Sequence, residues 1–273
     1  MPSRCLRTAG AMLFCLFASA AAARELRVCA DPNNLPFSSS STKGFENRIA
    51  ELLAGELGAR LAYTWRAQRR GFLRETLNAG RCDLVLGVPT ELEGVRTTRP
   101  YYRSAYVFVA RDGTPPVTSF DDPALRHQLI GVQLIGDDGW NTPPAHALTR
   151  RGIIDNVRGY MLYGDYSEAA PAAKIISAVA LGEIDIALAW GPLGGYFAAR
   201  ERPPLSVKLV SPLDESDLPM AWDISMAVRK GDTALLSEID AALTKLAPRI
   251  DAILSEYDVP RLPRSPPLLG SEP

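Results

Sequence analysis

Histidine is nearly missing from this chain. Only His127 and His146 occur in 273 residues, so a metal centre or an acid–base site built on imidazole is not expected. There is no charge surplus either. With 30 basic and 31 acidic residues the formal net charge is -1, and such a balance leaves no electrostatic footprint for nucleic acid or an anionic membrane surface. Beyond the first residues, no apolar run is long enough to cross a bilayer as a helix. The sequence contains no GxSxG, HExxH, P-loop or GxGxxG signature, and its carboxylates are too scattered to name an acid and a base. Asp31, Asp137 and Asp138 do not space oxygen ligands as a calcium loop does. No catalytic residue, resident cofactor or metal ligand is therefore assigned. No repeat of solenoid period is visible.

What is present begins with an export signal. Arg4 and Arg7 precede an apolar stretch from Ala11 to Ala22, with small-residue cleavage patterns at Ala18-Ser19-Ala20 and Ala21-Ala22-Ala23. Residues 1–23 read as a secretory signal peptide with the cut after Ala23, so a periplasmic protein without membrane insertion after signal removal is expected. Cys5 and Cys15 leave with that segment. Cys29 and Cys82 remain, outside any CxxC, which disfavours a thiol oxidoreductase. An even pair in an oxidising compartment favours a disulfide; two buried thiols in one sheet are the alternative.

Hydrophobic periodicity gives the architecture. Leu26–Ala30 and Leu61–Trp65 read as strands, and Cys82–Val88 as a nearly wholly apolar strand covered on both faces. Between the first two, Phe45, Ile49, Leu52, Leu53 and Leu57 form a helical stripe closed by Gly58. A short helix is expected over Phe72–Ala79. The order is β-α-β-α-β. After a strand over Tyr106–Ala110 and a proline- and glycine-rich boundary at 113–122, a second α/β pattern follows. It has strands at Leu129–Gln133, Asn156–Leu162 and Ile184–Trp190, a helix at Ala172–Leu181, and a helix opened by Gly191-Pro192. A last strand spans Trp222–Val228. Two helices are expected after it, Thr233–Leu246 and Ile250–Tyr257, and then a proline-rich extended tail. The fold class is α/β, two doubly wound lobes.

This order of elements resembles the type II periplasmic solute-binding proteins. The residues that carry the likeness are Pro36-Phe37, Gly44-Phe45-Glu46, Gly80-Arg81-Cys82-Asp83 and Pro100-Tyr101-Tyr102 in the first half. In the second they are Gly131-Val132-Gln133, Gly182-Glu183-Ile184-Asp185 and Ala227 to Asp232. The resemblance implies one lobe from residues 24–112 plus 222–260, a second from 113–221, and a flexible tail at 261–273. Crossings near Arg111 and Trp222 would form a hinge, with the ligand in the cleft at the carboxyl ends of strands.

A narrower resemblance lies in the run from Arg27 to Ser38, in Gln68-Arg69-Arg70-Gly71-Phe72, and in Thr76 to Asp83. These runs are similar to the J proteins of bacterial methanol oxidation systems (MxaJ and XoxJ). That family implies a partner, a PQQ-dependent methanol dehydrogenase of the calcium or lanthanide kind, together with its cytochrome c. It further implies a role in that enzyme's maturation or activation. The fold alone implies another role, a receptor delivering a small ligand to an ABC transporter.

The cleft departs from that of amino-acid receptors. Those hold the ligand carboxylate with an arginine in a Thr-x-x-Arg run; here the run is Thr90-Glu91-Leu92-Glu93-Gly94, with Glu91 near the arginine's place. The amine-binding acid expected after the second-lobe strand is replaced by Trp190-Gly191. What remains for the cleft is aromatic: Phe37, Tyr101, Tyr102, Trp190 and Trp140. Asp31, Asn33, Asn34, Arg69 and Asp137 are the polar candidates toward a ligand or partner, with turn formation as the competing role of the Asx residues.

Overall fold

A computed structural model describes residues 24–134, 141–161, 166–215 and 217–263. The expected signal peptide and most of the expected tail fall outside them.

The first lobe grows from β1 (Glu25–Ala30), α1 (Phe45–Glu56), β2 (Arg60–Trp65), a one-turn α2 (Phe72–Glu75) and β3 (Val85–Pro89). A long β4 (Tyr102–Ala110) leaves it. The second lobe holds β5 (Ile130–Leu134), α3 (Pro143–Arg150), β6 (Val157–Met161), α4 (Lys174–Ala180), β7 (Ile186–Trp190), α5 (Gly191–Ala198) and β8 (Ser206–Leu209). The chain returns through β9 (Ala221–Val228) and ends in α6 (Thr233–Glu256).

Both lobes repeat one sheet plan. In the first the order is β2–β1–β3–β9–β4. β1 runs parallel to β2 and, through the Val28–Leu84 bridge, to the entry of β3. β9 is antiparallel to β3 and β4. In the second the order is β6–β5–β7–β4–β8, with β5 parallel to β6 and β7, and β4 antiparallel to β7 and β8. Each sheet therefore has one reversed strand, and that strand arrives from the other lobe. β4 serves both sheets: Tyr102–Ala105 pair with β9, whereas Tyr106–Ala110 pair with β7. The switch lies at Ala105–Tyr106, ahead of the Arg111 crossing that the resemblance implies. Trp222, opposite Ser104, lies at the return crossing.

The cores follow from strand alternation. In β4, Val107 and Val109 enter one apolar cluster of the second lobe while Tyr106 and Phe108 enter the other, so helices and loops cover both faces. In the first lobe Phe45, Ile49 and Leu53 of α1 meet Leu243, Leu246 and Ile250 of α6. Here the two expected C-terminal helices are one. Pro248 sits inside α6, and the proline's cost of about 3 kcal/mol is outweighed because Ile239 and Leu243 before it and Ile253 and Leu254 after it bury in the same cluster. The short helix over Phe72–Ala79 shrinks to Phe72–Glu75, while α3 and β8 were not anticipated. Cys29 and Cys82 are joined by a disulfide that ties β1 to the approach of β3. No helix among the described residues is long and apolar enough to cross a membrane.

Candidate functional site

Between the lobes lies a cavity of about 290 Å³. Its first wall is the loop after β1, organised around Asp31. This residue is 3% exposed, and its carboxylate accepts from the backbone N–H of Asn33 at 2.8 Å and of Gln68 at 2.7 Å. Its carbonyl accepts from the Ser38 hydroxyl at 2.8 Å. Asp31 thus splints the loop that presents Asn33, Asn34 and Phe37. Asn34 Nδ2 reaches Gln68 Oε1 at 3.3 Å, and Phe37 leans on Phe45 with ring centres 5.4 Å apart.

The opposite wall comes from the carboxyl ends of second-lobe strands. The Trp190 backbone N–H donates to Gln133 Oε1 at 3.1 Å, with Gln133 2% exposed. Trp190, Tyr106 and Trp222 form a trio of edge-on rings 5.5–5.8 Å apart at the crossing strands. Burial raises the Tyr106 hydroxyl above its ordinary range.

The floor carries Glu46, in the first turn of α1. Its N–H donates to Phe37 O at 3.0 Å, while its carboxyl rests on Gly87. A Cβ there would stand 2.1 Å from Glu46 Oε1, so any other residue would displace the acid's end from this position. Removal from bulk water pushes the Glu46 carboxyl up to about 8. The buried hydroxyls of Tyr101 and Tyr102 are also raised, first by burial and then by the nearby Glu46 charge.

The mouth is closed by the segment before α4. The Tyr166 hydroxyl donates to Asp31 Oδ2. Asn33 Nδ2 donates to Glu168 O at 2.7 Å, and the Ala170 N–H reaches Asn33 Oδ1 at 3.4 Å. The Arg69 guanidinium sits 5.3 Å from the Tyr166 ring centre. Desolvation, and then Asp31, raises the Tyr166 hydroxyl.

Of the residues singled out in the sequence, Asp31, Asn33, Asn34, Phe37 and Trp190 line this cavity, and Arg69 stands at its mouth. Tyr101 and Tyr102 do not: at 4% and 3% exposure they belong to the first-lobe core, with Tyr102 set edge-on to Phe45 at 6.1 Å. Asp137 and Trp140 lie outside the described residues. The sequence reading missed Glu46, Tyr106, Gln133 and Tyr166 as lining residues. An acid in a first helical turn looks like an ordinary partner of the helix dipole, and Tyr106 reads as one more apolar strand residue. Tyr166 sits in a segment without periodicity.

Among the described residues, the lining set contains no lysine, arginine or histidine. Glu91, where an amino-acid receptor would place its arginine, is exposed with φ +62°, and Thr90 is tied to β9 through Asp223 O and the Ser225 hydroxyl. The described lining can surround a small molecule with aromatic faces, amides and two acids, Asp31 and Glu46, and offers no cation to a ligand carboxylate.

Residues 26–257 match the model of the bacterial extracellular solute-binding proteins, family 3. Protein MoxJ of Methylorubrum extorquens is 35% identical over 89% of this chain and 83% of its own length. Protein MoxJ of Paracoccus denitrificans is 31% identical over 88% of this chain and 90% of its own length. Among solved structures, the periplasmic binding protein XoxJ from Methylobacterium extorquens AM1 is 35% identical with a TM-score of 0.72, covering 88% of this chain and 100% of that one. The chain belongs to family 3 of the bacterial extracellular solute-binding proteins, and within it to the group of the MoxJ and XoxJ proteins.

Proposed function

We propose that this chain is a periplasmic accessory protein of methanol oxidation, which docks on a PQQ-dependent methanol dehydrogenase, in its calcium or lanthanide form, and assists its maturation or activation. The observation that carries this reading is the likeness to MoxJ along 89% of the chain, combined with a cleft whose described lining holds no cation for the carboxylate of an α-amino acid. A receptor that kept its transport role would be expected to keep a cation for the carboxylate. The reading makes the chain a binding protein and not an enzyme, with the dehydrogenase, and secondarily its cytochrome c, as partner. Any PQQ or metal belongs to that partner. A second reading, the receptor of an ABC transporter for a small ligand that is not an amino acid, is favoured by the 290 Å³ cavity between the lobes.

The test is a pull-down of the tagged mature protein from the periplasm of its own cells grown on methanol, at low salt, read by mass spectrometry. Recovery of the dehydrogenase in stoichiometric amounts is the expected outcome. Recovery of a permease or a small molecule without the dehydrogenase would sink the accessory reading and leave the receptor.

A further inference from the structure

The dehydrogenase reading does not use the cavity floor, yet the floor is built. Glu46 projects into a space with room for about ten waters, at roughly 30 Å³ each. Its carboxyl is neither hydrogen-bonded nor ion-paired to any described side chain or backbone group, whereas the other acid of the cavity, Asp31, is occupied by two backbone N–H groups and the Tyr166 hydroxyl. Glu46 is only partly buried and lines the cavity without a protein partner, so its bonding is left to whatever occupies the cavity. Gly87, in the left-handed region at φ +71°, keeps the place for it: any side chain there would strike the acid.

The surroundings say what kind of group completes it. Phe37, Tyr106 and Trp190 supply aromatic surface on the walls, and aromatic faces attract cations and alkyl groups and repel anions. No described lining residue is basic; Arg69 is held against the Tyr166 ring at the mouth. The titratable groups coupled to Glu46 from the neighbouring elements are Tyr63 of β2, Tyr101 just before β4 and Tyr102 at its start, while Asp31 after β1 shares the cavity lining. All three phenols are raised by burial, Tyr63 to about 12. Near neutral pH these phenols stay protonated, so an arriving charge is answered on the floor by Glu46.

We propose that the cavity is a binding site for a small organic ammonium ion, whose nitrogen donates to the Glu46 carboxylate and whose alkyl part lies against Phe37, Tyr106 and Trp190. The ligand enters as a cation and Glu46, largely protonated beforehand, releases its proton to solvent as the pair forms, so binding conserves charge within the cavity. The site stands whether or not the protein docks on a dehydrogenase.

The test is calorimetric titration of the isolated mature protein with a series of unbranched alkylammonium ions from methyl to hexyl, and with the alcohol and carboxylate of matching length. At least one ammonium ion is expected to bind. The matching alcohol is expected to bind about tenfold or more weakly, as the loss of a charge-assisted bond implies, and the carboxylate not at all. Titration at neutral pH in buffers of different ionisation enthalpy is expected to report a proton released on binding. Glu46→Gln is expected to lower the ammonium affinity about tenfold to a hundredfold, to abolish the proton release and to leave the alcohol's affinity unchanged. Binding of no member of the series, equal binding of alcohol and ammonium, or ammonium affinity that survives Glu46→Gln but is lost in Asp31→Asn would each overturn the proposal.

Discussion

The carboxylate of Asp31, at the end of β1, accepts a hydrogen bond from the hydroxyl of Tyr166 across the mouth of the cavity. The same oxygen takes the Gln68 N–H and its neighbour the Asn33 N–H, so one buried acid both shapes the first-lobe loop and clasps the second lobe. The two tasks are separable. Tyr166→Phe removes only the clasp and leaves both backbone bonds, at a cost of about 1–3 kcal/mol for a bond to a charged acceptor. Hydrogen exchange is expected to speed up in residues 31–38 and 166–172 while the core of α1 stays protected. Unchanged exchange in both segments would show that the clasp contributes nothing to closure.

The disulfide between Cys29 and Cys82 closes a loop whose ends are 53 residues apart in sequence. Its sulfurs lie in a cluster with Phe72, Leu77, Val85 and Val88, where both cysteines are 2% exposed or less. Cutting it in the Cys29→Ser, Cys82→Ser double variant is expected to cost about 2–4 kcal/mol, chiefly by freeing the unfolded chain. Urea denaturation under oxidising and reducing conditions checks this: the double variant should match the reduced wild type, and equal midpoints for oxidised and reduced wild type would contradict it.

These particulars show where sequence reasoning reached and where it stopped. Strands with alternating or wholly apolar faces, such as β3, β4 and β7, announce themselves through side-chain period, and so does the stripe of α1. The two helices expected after β9 are one because α6 buries residues on both sides of Pro248 in a single cluster, a tertiary effect that no window of sequence contains. Tyr101 and Tyr106 exchanged expected places for a similar reason. Which of them meets the cavity depends on the point at which β4 passes between lobes, and that is set by pairing with β9 and β7, not by the strand's own pattern. Contacts through loops were the least legible: Tyr166 and Asp31 lie far apart in sequence and meet only because both lobes are assembled.

A second tie between the lobes runs through the residues that follow α6. The segment after α6 passes between β4 and α5. The Ser104 hydroxyl donates to Pro260 O at 2.6 Å, and the Leu262 N–H donates to Arg103 O at 3.0 Å. Gly195 of α5 comes so close that a Cβ would stand 2.0 Å from Asp258 O and 2.8 Å from Pro260 Cδ. Gly195→Ala is expected to destabilise by about 1–3 kcal/mol through this overlap, although alanine favours a helix. Gly55→Ala in α1, where a Cβ meets nothing within 4 Å, should instead stabilise by about 0.5–1 kcal/mol. Chemical denaturation of the pair separates packing from helix propensity; two variants shifting in the same direction would remove the packing account of Gly195.

Two carboxyls set the pH range of stability from opposite sides. For Asp83, burial raises the carboxyl, but the hydrogen bonds from Arg27 and Arg229 outweigh it and hold the group below its ordinary value. A depressed carboxyl stabilises the fold above its unfolded pKa, and that stability is lost as the pH falls through the folded value. Glu46 behaves inversely. Raised by burial from 4.5 to about 8, it keeps its proton in the folded chain over an interval in which the unfolded chain has released it. Its contribution is therefore full below 4.5 and is lost progressively as the pH rises to about 8. The thermal midpoint of the wild type is expected to decline between those limits, and Glu46→Gln, which cannot ionise, to flatten that decline while leaving the acid limb intact. Asp83→Asn should do the reverse, weakening the dependence on acid and leaving the neutral slope. A slope through neutral pH that persists in Glu46→Gln would place the titrating group elsewhere and return Glu46 to an ordinary carboxylate.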